Sequence, residues 1–330
     1  PTLSWETMKV ANAGIDFSFF HHNLYGSIDG FYRLREGIPA KRHTSIPSTF
    51  GESLPLENLN SISIKGFDLM IGTSKSTGEF TYDISANLSW YQDRWAYYDE
   101  PEYEDPEQAR IYSKTGHRVE ELWGYKSDGL LANMAAISKL GYDMDQQHNA
   151  TVTPGSIKLL DLNGDGVVNW MDQTVVCNGN SPRWTFGINT NFTYKGFDLN
   201  AIFQGAFGYA VFVNNGRYTE WLYENRWSPE NQNPDALYPH RSWTTTDNYY
   251  NDFNIRKVAY IRLKTLSFGY NLPKSVLAKP PLTSVRFYFA GNNLLTLSTV
   301  SKFGLDPESI TVGQYYPQQR TLSFGVNISF

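Results

Sequence analysis

The chain has 330 residues and a formal net charge of −5, with a pI near 5.7. It has no basic stripe with which to neutralise phosphates, so a nucleic-acid partner is not expected. Aromatic residues make up 15% and charged residues only 18%, a balance that suits an all-β protein with bulky, flat side chains on one strand face. The single cysteine, Cys177, excludes a disulfide framework and a thiolate metal cluster.

Taken in chain order, the pattern predicts nine strands. The first three lie at 8–20, 24–36 and 60–74. In the fourth, 79–91, Phe80, Tyr82, Ile84, Ala86, Leu88 and Trp90 share one face, and Thr81, Asp83, Ser85, Asn87 and Ser89 share the other. The fifth, 184–194, sets Trp184, Phe186, Ile188, Phe192 and Tyr194 against Thr185, Asn189, Asn191 and Thr193. The sixth, 197–209, alternates in the same way, and less regular strands follow at 257–271 and 283–294. The last strand places Leu322, Phe324, Val326, Ile328 and Phe330 opposite Thr321, Ser323, Asn327 and Ser329. A period of two over ten or more residues exceeds the usual soluble strand and suits a tilted membrane strand. No apolar run is long enough for a membrane helix, which leaves a barrel open as the mode of crossing.

Connection lengths alternate. The turns at 21–23, 74–77 and 195–196 are tight and 272–282 is modest, whereas 37–59, 96–183, 210–256 and 295–319 are long. Bacterial outer-membrane barrels have short periplasmic turns and long extracellular loops, and a soluble sandwich has no reason to sort its loops by end. Nine is an odd number, and single-chain bacterial barrels have even numbers of strands. An open nine-stranded sheet would also leave two apolar edges. The expectation is therefore the C-terminal part of one large transmembrane β-barrel spanning 1–330, with its remaining strands elsewhere.

The residues then resemble the SusC/RagA-type TonB-dependent outer-membrane transporters of Bacteroidetes. The resemblance runs from Leu3-Ser4-Trp5-Glu6 and Asn12-Ala13-Gly14-Ile15-Asp16-Phe17 through Pro47-Ser48-Thr49-Phe50-Gly51 and Lys65-Gly66-Phe67-Asp68. It continues with Trp123 to Leu130, Pro154 to Gly166, the Tyr194-Lys195-Gly196-Phe197-Asp198 hairpin, Ala290-Gly291-Asn292-Asn293-Leu294 and Gly304-Leu305-Asp306-Pro307-Glu308, and ends with Arg320 to Phe330. It implies a barrel of about 22 strands, an N-terminal plug and TonB-contacting segment absent from this chain, and a SusD-like surface lipoprotein over the mouth. It also implies an outer-membrane location among lipid or lipopolysaccharide, and TonB-driven import of oligosaccharides or peptides, with no enzymatic activity.

Residues 161–172 form the sharpest local motif. Asp161, Asn163, Asp165 and Asp172 stand at positions 1, 3, 5 and 12, with Gly166 at 6 and the Val167 carbonyl at 7, matching an EF-hand-type calcium loop. Asp172 replaces the usual Glu, as in dockerin-like loops, and reaches less far. A structural Ca2+ stiffening the 96–183 loop is the expectation, with a metal-free Asx-rich turn as the alternative.

Two loops carry aromatic clusters, Tyr218, Trp221, Tyr223 and Trp227, then Trp243, Tyr249 and Tyr250. Trp221, Tyr223, Trp227, Trp243, Tyr249 and Tyr250 are the candidate substrate-binding residues, since flat rings near Asn and Gln suit a sugar or peptide. Packing within the loops, contact with the lipoprotein, or a place in an interfacial belt are other uses of the same rings. Trp90, Trp95 and Trp184 are assigned to the interfacial girdle, and the acidic run 99–107 to a solvated loop. The competing readings are a secreted multi-domain β protein that binds or cleaves glycans through a dockerin-like calcium loop, and a passive porin.

Overall fold

The computed structural model describes residues 3–43, 54–212, 223–240, 249–277, 282–309 and 318–330. In chain order its strands are β1 (Thr7–Phe19), β2 (Leu24–Lys41), β3 (Leu56–Thr77), β4 (Phe80–Tyr97), β5 (Leu122–Gly124), β6 (Ser127–Leu130), β7 (Ile157–Leu159), β8 (Thr174–Cys177), β9 (Trp184–Tyr194), β10 (Phe197–Phe212), β11 (Ile255–Asn271), β12 (Ser284–Ser298) and β13 (Thr321–Ser329). Two short helices, α1 (Pro106–Tyr112) and α2 (Met134–Ser138), lie in the β4–β9 connection. Nine strands form one antiparallel sheet in the order β1-β2-β3-β4-β9-β10-β11-β12-β13, while β5 pairs β8 and β6 pairs β7 in separate two-stranded ribbons. The nine expected strands are these nine. The all-β class is thereby shown, with the nine strands in a single antiparallel sheet.

Register keeps the two faces apart. Across β4, β9 and β10 the pairs Phe80–Tyr194, Leu88–Phe186 and Trp90–Trp184 meet the row Phe197, Leu199, Phe203 and Phe207 on the outward face. The other face carries Asp83–Asn191, Ser85–Asn189 and Asn87–Gly187. Outward side chains of the last strand stay exposed, Phe324 at 81%, as a surface bathed in lipid requires.

Two aromatic belts bound this outward face. The upper one joins Phe67, Trp90, Trp184 and Phe207, with neighbouring rings 5.5–6.0 Å apart. The lower one joins Phe80, Phe192 and Tyr194, and further along the sheet Phe197, Phe268 and Tyr270. Phe80 and Trp90 are ten residues apart along β4. At about 3.4 Å per residue and a tilt of about 40°, that separation projects to about 25 Å, the height of an outer-membrane apolar band. Trp95 is five residues beyond Trp90 with no bulge between them, so it points to the lumen and leaves the girdle it was assigned to.

Turns are local consequences of sequence. Lys195 (φ 47°) and Gly196 (φ 87°) make the two-residue link between β9 and β10, the left-handed pair that matches strand twist. The β3–β4 turn is Gly78-Glu79, four residues later than expected. Ser74 to Thr77 continue the ladder, and Gly78 supplies the positive φ of 61°.

The buried core lies in the long connections. Tyr125, Leu130, Leu131, Met144, Ile157 and Leu159 of the β4–β9 connection pack with Trp227 and Ala236 of the β10–β11 connection. A second cluster joins Tyr238, Val300 and Phe303 to the upper ends of β10 and β11. Together they make a cap above the upper belt. Among the described residues no helix is long and apolar enough to cross a membrane.

Candidate functional site: the lumenal wall and its cap

Facing the lumen is a polar wall. Asn200 donates to Asn191 at 2.6 Å and to Asn189 at 3.2 Å, and Asp198 pairs with Arg286 at 2.5 Å. Higher up, Arg183 lies 2.6 Å from Asp93, itself on the lumenal side of β4. Arg262, 2% exposed, donates to both Asp306 oxygens at 2.9 and 3.0 Å and to Thr296. Its other terminal nitrogen is 2.9 Å from Glu308, which also meets Lys264. The Tyr209 hydroxyl donates to the Pro307 carbonyl at 2.7 Å. The Asp306-Pro307-Glu308 segment is thereby folded onto the inner wall. None of these arginines was singled out in the sequence. The signal for Arg262 was its position on the polar face of a strand, opposite Gln204.

The aromatic candidates separate. Tyr223 is 63% exposed and carries Arg226 over its ring at 4.2 Å. Tyr249 stacks on Tyr125 at 5.0 Å, and Tyr250 leans on Phe212 while remaining 58% exposed. Trp227 differs. It is 4% exposed within the cap core, close against Gly155 and His240, and its ring is covered by protein. Trp221 and Trp243, and likewise Tyr218, lie outside the described residues. A further ring pair, Tyr112 stacked on Trp170 at 6.3 Å, was not anticipated, because its partners come from helix α1 and from the 161–172 loop.

In that loop Asp161 accepts from the N–H groups of Gly164 and Gly166 at 2.7 and 2.8 Å. Asn163 accepts from Asp165 N–H, and Asp165 from Val167 N–H. The Val167 carbonyl accepts from Asn169 at 3.3 Å. Asp172 is fully buried, and its two oxygens take the N–H groups of Leu162, Asn163 and Asn169. The donors are all oxygens, the chemistry of a hard cation. Among the described residues no three acidic, His or Cys side chains converge as a ready metal cage, and three N–H bonds occupy the Asp172 carboxylate.

The acidic run is less free than a solvated loop. Asp105 caps α1 by accepting from Glu107 N–H, and Glu100 accepts from Ser113, Lys114 and Thr115. In the cap, burial raises the Asp145 pKa. Hydrogen bonds from the Thr151 hydroxyl and the N–H groups of Thr151, Gln147 and Asn149 outweigh it and leave the carboxyl below its usual range.

A polar-lined, aromatic-belted sheet with a folded cap on its long connections has the build of an outer-membrane β-barrel wall. No family model matches the chain. The chain is 29% identical to TonB-dependent receptor P3 of Formosa agariphila over 99% of its own length and 34% of the relative's. It is 23% identical to TonB-dependent receptor SusC of Bacteroides thetaiotaomicron over 99% of its length and 32% of the relative's. The RagAB peptide transporter shares the fold, with a TM-score of 0.70 at 21% identity, over 99% of this chain and 36% of that one. The resemblance to SusC/RagA-type TonB-dependent transporters thus holds along the whole chain, which corresponds to the C-terminal portion of their outer-membrane barrel and spans about a third of the relatives' length. By name the relatives are receptors and a transporter.

Proposed function

We propose that this chain forms part of a TonB-dependent importer that takes oligosaccharides or peptides across the outer membrane. A SusD-like lipoprotein would close its mouth, and TonB would act through the plug. The carrying observation is that similarity to TonB-dependent receptors extends over 99% of the chain, on an antiparallel sheet whose long connections all leave from one end. The polar wall of Asn189, Asn191, Asn200 and Gln204 suits a hydrated, hydrogen-bonding cargo. Exposed Tyr223, Tyr249 and Tyr250 suit stacking on it. Catalysis has no part in this reading; work at the inner membrane supplies the driving force. The test is mass spectrometry of the native protein, extracted in detergent from its own outer membrane. A co-purifying plug-bearing segment, a surface lipoprotein and a bound glycan or peptide are expected. A chain that purifies without detergent and alone would overturn the reading.

We also propose that residues 161–172 hold a structural calcium ion. Asp161, Asn163, Asp165 and the Val167 carbonyl would supply oxygens, and Asp172 would do so on giving up backbone N–H bonds. The support is the all-oxygen donor set and the Gly166 turn, whose φ of 90° closes the loop on Asp161.

A further inference from the structure

The outward face is hollowed between β11, β12 and β13, beside Phe268, Phe287 and Phe324, and over a larger volume where β10 and β11 cross the upper belt. There Phe207 opposes Ala259 across the ladder, and the next outward pair toward the cap is Ala210 with Lys257. Two hollows sharing Phe207, Ala259 and Thr299 run together. One, of about 580 Å³, descends between Phe186, Ile261 and Leu297 toward the middle of the apolar band. The other, of about 390 Å³, rises past Gly208 to Cys177, Asn178 and Lys257. Its roof is β8 and the two residues after it, joined to β10 by the Ala210 N–H to Gly179 carbonyl bond.

Depth decides what such a groove can hold. Its lower part lies among lipid tails, below the row of Trp184 and Phe207. Lys257 is two residues above Ala259 on the same face, about 5 Å higher along the membrane normal for a tilted strand. That is the level of lipid headgroups, where a lysine carries its charge out to the interface. Lys257 is exposed and has no carboxylate partner among the described residues, so its charge is uncompensated there.

We infer that this groove is a binding site for one anionic lipid of the outer leaflet, an acyl chain lying along Phe186, Phe207, Ile261 and Leu297 and a phosphate meeting Lys257. The inference rests on the sheet being a membrane wall, and its failure is separable from failure of that reading. A soluble chain would overturn the membrane reading itself. A detergent-requiring barrel that retains no lipid would overturn only the site.

The experiment uses the full-length barrel, delipidated and then reconstituted in phosphatidylethanolamine nanodiscs doped with bisphosphorylated lipid A. After re-extraction, lipid A retained per barrel is counted by mass spectrometry. The unaltered protein retains lipid A above its bulk proportion. Ala259→Phe fills the groove on a lipid-facing position and lowers retention about tenfold, the equivalent of about two methylenes of lost burial. Lys257→Ala lowers it about fivefold, and this difference disappears with dephosphorylated lipid A. Ala86→Phe, on the outward face of β4 away from the groove, leaves retention unchanged. Equal retention by Ala259→Phe and the unaltered protein overturns the groove, and equal loss with phosphorylated and dephosphorylated lipid overturns the role of Lys257.

Discussion

Arg262 of β11 and Asp306 of the β12–β13 connection form a two-bond ion pair at 2.9 and 3.0 Å on the lumenal wall, with the arginine only 2% exposed. Forty-four residues separate them in sequence, so the pair fixes where the connection lies. Arg262→Met leaves Asp306 without its counter-charge and Glu308 with Lys264 alone. A loss of about 3–5 kcal/mol is expected for breaking a buried pair from one side. Limited proteolysis within 299–309 measures it: cleavage should rise well above that of the unaltered protein, while Arg262→Lys restores part of the protection.

The cap aromatics divide by burial, and substitution should divide them again. Trp227→Ala removes a buried ring and destabilises the cap by about 3–5 kcal/mol, seen as a lowered Tm of the cap transition. Tyr223→Ala and Tyr250→Ala, at exposed positions, leave Tm within about a degree, in line with surface substitutions, and instead weaken cargo uptake by whole cells. Uptake unchanged in the double Tyr variant would remove these rings from the transport path.

Acid should loosen the cap before it reaches the strands. Asp145 and Glu100 are held below their usual carboxylate values of 3.8 and 4.5, against the raising effect of burial, by hydrogen bonds from neighbouring N–H and hydroxyl groups. A depressed carboxyl contributes stability that is fully present above its unfolded pKa and is lost as pH falls through the folded one. The protection factors in 142–152, exchange rates referred to intrinsic exchange at each pH, should therefore be constant above about pH 5 and fall below about pH 4. Asp145→Asn should flatten that acid limb.

Calcium should protect the same cap from a different side. If residues 161–172 bind it, saturation at about a hundredfold over Kd adds about 2.7 kcal/mol to the cap. Exchange at 161–173 should then slow with calcium and recover with chelator. Asp161→Ala should abolish the difference, and a response to magnesium equal to that with calcium would speak against the loop.

Glycine spacing in the sheet makes a further test. A Cβ on Gly205 would lie 2.2 Å from the Phe186 ring and 2.5 Å from the Tyr260 carbonyl. Gly205→Val therefore displaces an outward ring and strains the ladder, at a cost of about 1–3 kcal/mol, read as a lower temperature for the folded-to-unfolded band shift in gel electrophoresis.

The sheet was legible because period-two alternation is a local property. Phe80 to Trp90 and Trp184 to Tyr194 carry their own phase, and the connection lengths carry their own order. What depended on counting survived only until the phase was miscounted, as at Trp95, five residues from Trp90 and therefore on the other face. The cap was not legible. Leu131, Met144 and Trp227 follow no period, and their burial depends on a meeting between two connections separated by β9 and β10. The lumenal arginines were hidden for a related reason. Arg262 reads as an ordinary polar-face residue until the fold brings Asp306 and Glu308 back to it.

That placement of the apolar core has a consequence for assembly. Gly155 touches Trp227, yet the hairpin of β9 and β10 lies between them in the chain. Contacts of such sequence separation are slow to form and carry a high loop-closure cost when the ends are free. Pinned at the tops of adjacent strands, the same segments have a short search. The membrane sheet thus serves the cap as a template, shortening the search by which its globular interior closes.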